Sequence, residues 1–152
     1  MDNKDRQILS LLQEDATLPV HDMAERIGLS TTACWKRMQR LHQEGYIDRQ
    51  VCLLNRKKLG VGVTVFVAIR TNRHEPQWLE RFAAALRDMP EIVEFYRMSG
   101  DIDYLLKVVA PDIGGYDQIY KRLIHAAELY DVSSSFSMEE LKYTTALPLE
   151  HA

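Results

Sequence analysis

Residues 20–47, VHDMAERIGLSTTACWKRMQRLHQEGYI, constrain the fold of this chain more than any other stretch. Two short amphipathic segments flank the run Ile27-Gly28-Leu29-Ser30, and Gly45 closes the second of them. A glycine at such a junction takes the left-handed backbone that ends a helix, which a β-branched residue does only at a cost. Leu29 is then placed to plug the turn into a shared core, and Ser30 to cap the helix that follows. Helix, tight turn, helix and apolar strand is the order of a winged helix-turn-helix, a device that lays its second helix in a DNA major groove.

Three helices are expected in the N-terminal third. The first covers residues 3–14, with Ile8, Leu11 and Leu12 on one face. Asp2 is its N-cap, and Asp5 favours a helix N-terminus. The second covers residues 20–27, with Met23, Ala24 and Ile27 inward. In the third, residues 31–44, Cys34, Met38 and Leu41 form the buried stripe. Ser30, Thr31, Thr32, Trp35, Lys36, Gln39 and Arg40 fall largely elsewhere and are the candidate DNA contacts. Small hydroxyls allow close approach to the groove, Lys and Arg reach phosphate or guanine, and Gln pairs with adenine. Trp35 either touches DNA or packs on its own domain. Arg37, beside the stripe, either pairs with an acid of another helix or reaches a phosphate. Residues 46–54 read as a strand forming the wing, with Arg49 at its basic edge.

The formal net charge of −3 argues against nucleic acid until the chain is divided. Residues 1–60 carry ten Lys and Arg against eight Asp and Glu, and residues 61–152 carry nine against fourteen. Between residues 31 and 58 seven bases (Lys36, Arg37, Arg40, Arg49, Arg56, Lys57, Lys58) face two acids, Glu44 and Asp48. A local basic patch is what phosphate binding requires, although charge alone describes a solvated basic face equally well. No apolar run approaches the ~18 residues that span a bilayer. The opening MDNKDRQ has no apolar signal segment, and Cys34 and Cys52 form no CxxC pair, so no membrane partner and a reducing cytoplasm are expected.

The second domain is expected over residues 61–152, after a first domain of residues 1–60, with the basic NRKKLG turn at the boundary. Residues 62–71 are rich in β-branched types and read as a strand, residues 77–88 as a helix behind Pro76, and residues 91–98 and 104–110 as strands. A helix over 113–125 and a strand over 132–138 complete a βαββαβ order, that of a ferredoxin-like sandwich, so the fold class is α+β. Both helices of that fold cover one face of the sheet. The other face carries Phe66 and Ala68 mid-strand, too apolar for a soluble monomer, so this half is expected to dimerise sheet against sheet. A two-fold dimer suits a helix-turn-helix that reads a palindrome.

In sum the chain resembles the Lrp/AsnC family of bacterial transcription factors, the leucine-responsive or feast/famine class. The carriers are Asp2-x-x-Asp5-x-x-Ile8-Leu9, Leu12-Gln13, Ala24-x-x-Ile27-Gly28-Leu29-Ser30, Cys34-x-x-Arg37-Met38-x-x-Leu41, Gly45-Tyr46-Ile47 and Leu59-Gly60. In the second half they are Ser99-Gly100-Asp101-Ile102-Asp103-Tyr104-Leu105-Leu106 and Met138-Glu139-Glu140-x-Lys142. Each motif alone is weak; in this order, over nearly the whole chain, they are specific. Asp15-Ala16-Thr17 departs from the small residue and arginine of many members, which bears on one peripheral contact.

The resemblance implies a regulator of amino-acid metabolism genes that binds double-stranded promoter DNA as homodimers, commonly assembled to octamers, and that senses a small amino acid. It implies an effector site in the C-terminal domain, the regulation-of-amino-acid-metabolism (RAM) domain, at interfaces between dimers. By position the site is Met98, Ser99, Gly100, Asp103 and Tyr104, with Ser133, Ser134, Ser135 and Phe136 from a neighbouring subunit. Backbone N–H groups beside a turn glycine suit a carboxylate, and Asp103 suits an α-ammonium. Taken alone, the same turn is also a plain hairpin. Cys34-Trp35-Lys36-Arg37 and the ending Lys142-Tyr143-Thr144-Thr145-Ala146-Leu147-Pro148 resemble a subgroup tied to amino-acid catabolism, including cysteine detoxification, which points to cysteine as the effector, with a methionine- or leucine-like one as the open alternative.

Enzymatic readings have little support. Asp101 and Asp103 share a face but lack an opposed acid or metal ligands, and His74 and His125 have no evident partner. Gly60-Val61-Gly62 precedes a strand, not the helix a dinucleotide loop needs, and Cys34 sits on an apolar stripe. No cofactor, metal or catalytic residue is expected. Against the ligand-responsive DNA reader stands one alternative, an assembly or small-molecule-binding protein whose N-terminal helices make protein contacts.

Overall fold

The computed structural model describes residues 1–73, 75–126 and 129–151; His74 lies outside them. The chain forms two compact units, Met1–Leu53 with Leu141–Ala152, and Leu54–Glu140.

In the first unit α1 (Asn3–Glu14) begins with a reciprocal capping box. The Asp5 amide donates to Asp2 Oδ1 at 2.9 Å, and the Asp2 amide donates to Asp5 Oδ2 at 2.9 Å. Two of the four donors a helix start leaves unpaired are thereby satisfied. α2 (Val20–Arg26) has Pro19 as its N-cap and ends through Gly28, whose φ of 65° is the left-handed geometry expected. The Lys4 ammonium donates to the Ile27 carbonyl at that end. α3 (Thr31–Gln43) is capped by Ser30, whose Oγ accepts from the Ala33 amide at 3.2 Å. Ile8, Leu9, Met23, Ala24, Ile27, Cys34 and Leu41 make the common core, with Met38, Leu29 and Leu149 packed at its edge. Gln13 holds the C-terminal tail on this unit: its side chain accepts from the Leu147 amide at 2.6 Å and donates to the Leu147 carbonyl at 3.2 Å.

The wing differs from expectation. Residues 47–54 carry no strand, and among the described residues none of their backbone groups bonds to another backbone group. A strand exists only with a partner row, and a single chain offers these residues none.

The second unit has the βαββαβ order expected: β1 (Val63–Arg70), α4 (Pro76–Arg87), β2 (Ile92–Arg97), β3 (Tyr104–Ala110), α5 (Ile113–Ala126) and β4 (Asp131–Phe136). The sheet is antiparallel in the order β2-β3-β1-β4. Val65, Val67 and Ile69 alternate onto the helix side, where they meet Trp78, Phe82 and Leu86 of α4 and Tyr116, Ile119 and Leu123 of α5. Across the opposite face runs one row of paired residues, Tyr96, Leu105, Ala68 and Ser133, and beside it another, Glu94, Lys107, Phe66 and Ser135. Phe66 is 40% exposed and Tyr96 49%, so among the described residues no element covers these two rows.

Two glycines in the first turn of α5 make a local test. A Cβ on Gly115 would sit 2.5 Å from Pro111 Cγ, whereas one on Gly114 meets nothing closer than 3.4 Å. Gly114→Ala should stabilise the second unit by roughly 0.5–1 kcal/mol through backbone entropy. Gly115→Ala should destabilise it by about 1–3 kcal/mol, since the proline ring cannot yield. Thermal unfolding of the two variants checks the signs.

Candidate nucleic-acid interface and ligand surface

α3 shows one face to the core and the other to solvent. Thr31, Thr32, Trp35, Lys36, Gln39 and Arg40 are all exposed, as is Ser30 before the helix. Trp35 is 53% exposed, which settles one alternative: its ring does not pack into its own unit. Arg49 is exposed too, but in the unpaired segment and not on a wing strand.

Arg37 is resolved as an internal ion pair. Its Nη1 lies 2.6 Å from Asp2 Oδ2 and 2.8 Å from Asp5 Oδ1. Arg40 joins the same cluster, with Nη2 2.6 Å from Asp5 Oδ2 and Nε 3.8 Å from Glu44. Asp5 is therefore the residue that sequence reasoning undervalued. It is 1% exposed, caps α1 and bridges two arginines of α3. Its neighbours in sequence announce the cap but not the bridge, which depends on how two helices cross. Of the seven bases between residues 31 and 58, Arg37, Arg40 and Arg56 are paired with acids, while Lys36, Arg49, Lys57 and Lys58 have no ion pair among the described residues.

The cluster is electrostatically biased toward its charged form. The Asp5 amide and the Arg37 guanidinium hold the Asp2 carboxyl down at about 2. For Asp5, burial pushes the carboxyl up, but the Asp2 amide and Arg37 together outweigh it and leave it lowered. Asp2 and Asp5 in turn raise Arg37.

The expected effector residues do not come together in one chain. Met98, Ser99 and Gly100 lie exposed on the turn between β2 and β3, with Gly100 at φ 120°. Asp103 anchors that turn: its Oδ2 accepts from the Thr71 amide at 2.8 Å, its amide donates to Ile69 at 2.9 Å, and its carbonyl accepts from Met98 at 2.8 Å. Tyr104 is a correction. It is buried in an aromatic cluster with Trp78, Phe82 and Phe95, because β-strand alternation turns it to the helix side. β4 divides by the same alternation. Ser133 and Ser135 lie on the open face, whereas the Ser134 hydroxyl bonds to the Tyr116 hydroxyl and Phe136 meets the Tyr116 ring edge-on at 5.2 Å. Ile69 pairs with Tyr104 and Val65 with Phe136, so the turn and Phe136 are about 13 Å apart along β1.

Comparison with known proteins decides the family. Residues 1–42 match the AsnC-type helix-turn-helix domain, and residues 64–147 match the Lrp/AsnC ligand binding domain. The chain belongs to the Lrp/AsnC family of transcriptional regulators. It is 46% identical over 151 residues to the DNA-binding transcriptional activator DecR of Escherichia coli, covering 99% of both chains. A crystal structure of an AsnC family transcriptional regulator from Agrobacterium tumefaciens superposes with a TM-score of 0.96 at 56% identity, over 99% of each chain. A Neisseria meningitidis transcriptional regulator, solved as its L-Met complex, superposes with a TM-score of 0.94 at 31% identity over 99% of this chain and 98% of that one. The protein is thus a DNA-binding transcriptional regulator and not an enzyme, and the reading of its N-terminal helices as a protein-contact module is set aside. Among the described residues no helix is long and apolar enough to cross a membrane.

The pKa shifts dictate a pH response. A carboxylate lowered by folding adds stability above its unfolded value, near 4, and that contribution is lost as pH falls through the folded value. With Asp2 at about 2, the α1–α3 pairing should weaken between about pH 4 and pH 2. Arg37→Met should move the acid-unfolding midpoint, followed by circular dichroism at 222 nm, to higher pH; an unmoved midpoint would show the cluster to be idle.

Proposed function

We propose that the protein reads palindromic promoter DNA as a homodimer in the cytoplasm and changes its assembly or affinity when an amino acid binds the second unit. The observation that carries this reading is the exposed face of α3, with Thr31, Thr32, Trp35, Lys36, Gln39 and Arg40 in the solvent and Cys34 and Leu41 in the core. Hydroxyl, amide and cationic side chains on one helical face match the major-groove donors and acceptors, with Ser30 and Arg49 reaching flanking phosphates.

The dimer is assigned to the open face of the sheet. Phe66, Ala68, Leu105 and Tyr96 form a contiguous apolar patch across three strands, and a second copy covers it by two-fold symmetry. Further association of dimers toward an octamer brings β4 of another copy to the β2–β3 turn, a reading supported by the distance of about 13 Å along β1 between that turn and Phe136 of the same chain. Phe66→Glu should convert the dimer to a monomer in analytical ultracentrifugation, since a carboxylate cannot be buried unpaired at a symmetric contact.

The effector is an amino acid. Its carboxylate suits the turn amides around Gly100, and its ammonium suits Asp103, supported by Ser99, Ser133 and Ser135. The L-Met complex of the Neisseria relative supports a methionine- or leucine-like side chain, while cysteine stays within the tested set. Differential scanning fluorimetry against the twenty amino acids should give a melting shift for one chemical class, and DNA titrations with that compound should change the apparent affinity. Asp103→Asn keeps an acceptor for the Thr71 amide but removes the charge, so it should abolish the shift. A shift retained in Asp103→Asn, or none with any amino acid, would refute the site.

A further inference from the structure

Asp5 lies on α1, outside the helix that faces DNA, yet it touches the one arginine of α3 placed to read a base. We propose that Asp5 is a positioning residue for DNA reading, a buried carboxylate that clamps Arg40 in a fixed place and cancels its charge, so that Arg40 serves discrimination while Lys36 serves affinity. The inference rests on the reading of α3 as the DNA-contacting helix.

Three observations carry it. Asp5 is 1% exposed and is held on all sides by donors: the Asp2 amide at 2.9 Å, Arg37 at 2.8 Å and Arg40 at 2.6 Å. A carboxylate so enclosed has no water to replace a lost donor, so releasing Arg40 costs a charge-assisted bond and the pair persists when DNA arrives. Arg40 spends only Nη2 on Asp5, its Nη1 makes no hydrogen bond among the described residues, and its side chain is 46% exposed. A planar fork held at one edge still has donors for a base edge, and the fixed edge removes much of its rotamer freedom. Lys36, one turn earlier on the same face, is exposed with no ion pair among the described residues. Its charge is uncompensated and mobile, which serves a phosphate and distinguishes no base. Glu44, at 3.8 Å from Arg40 Nε, is an exposed i,i+4 partner and adds little.

The two cations should therefore differ in what they do to salt dependence and to specificity. An uncompensated base that neutralises a phosphate contributes about 0.9 to the slope of log affinity against log salt. Full-length protein is titrated with a duplex enriched from a randomised pool by the wild type and with poly(dI-dC), at several salt concentrations. Lys36→Gln should flatten the slope by about one and weaken both duplexes alike. Arg40→Gln should flatten it by less than about half as much and cut the ratio of specific to non-specific affinity by roughly tenfold. Asp5→Asn, which keeps an acceptor for the Asp2 amide, should do the converse: non-specific binding rises, the slope steepens by about one and the ratio falls. In an Arg40→Gln background the gain from Asp5→Asn should vanish.

Equal flattening by Lys36→Gln and Arg40→Gln would overturn the clamp while leaving α3 as the DNA helix. An unchanged ratio in Arg40→Gln would overturn it as well. If neither variant alters binding, the clamp and the reading of α3 fall together. The Lys36 and Arg40 variants are surface changes, so this comparison stands even if Asp5→Asn fails to fold.

Discussion

One buried carboxylate organises the N-terminal unit. Apolar contacts between α1 and α3, through Ile8, Cys34 and Leu41, hold the helices together but are non-directional and tolerate sliding. Asp5 removes that freedom. Its oxygens accept from an amide of its own helix start and from two guanidinium groups three residues apart on α3, and each bond has a preferred direction. Displacing α3 along or around its axis would break bonds to a charge that has no water to turn to. The capping box and the interhelical bridge share the same residue, so the start of α1 and the placement of α3 are a single structural decision.

The second unit is governed by an imbalance between the two faces of its sheet. α4 and α5 supply enough aromatic and aliphatic surface to bury Val65, Val67, Ile69, Leu106 and Val108 completely. On the other side the central strands still present Phe66, Ala68 and Leu105, with Tyr96 beside them. Single exposed apolar residues are ordinary, but a patch continuous across three neighbouring strands is not. Beside that patch Lys107 is paired with Glu94 at 2.8 Å, and the Tyr96 hydroxyl donates to the same carboxylate at 2.8 Å. A polar group with its partner supplied costs less to cover, which makes this face suited to a second copy.

Much of this was legible in the sequence, and the parts that were not share a cause. Periodicity located every helix and sheet strand within a residue or two, because buried positions such as Ile8, Leu41 and Phe82 repeat at helical spacing and Val65, Val67 and Ile69 at strand spacing. Gly28 and Ser30 marked their turn because the chemistry there is local. Arg37 stayed ambiguous, and Asp5 was underread, because their contacts join segments more than thirty residues apart. The wing over residues 46–54 was misread for a related reason: apolar, β-branched residues announce a strand, but no pattern within the segment says whether a partner row exists. Tyr104 and the alternation of Ser133 to Phe136 could have been separated by counting faces from the start of β3 and from β4. The family pattern had grouped them by position in the chain instead.

That face count changes what the proposed effector turn can do. With Tyr104 turned into the core, the turn offers polar groups and little else: the amides of Ser99, Gly100 and Asp101, which donate to no backbone group among the described residues, and the Asp103 carboxylate. One oxygen of Asp103 is spent on Thr71, so the other must meet the ammonium. These groups recognise the part that every amino acid shares. Discrimination between side chains needs an apolar or polar wall, and on the turn itself the apolar side chains are Met98, 39% exposed, and the half-buried Ile102. In the proposed assembly another copy adds to that wall. A ligand that completes its contacts only across such a junction has a higher affinity for the assembled form, and this difference is what lets it shift the population of assemblies.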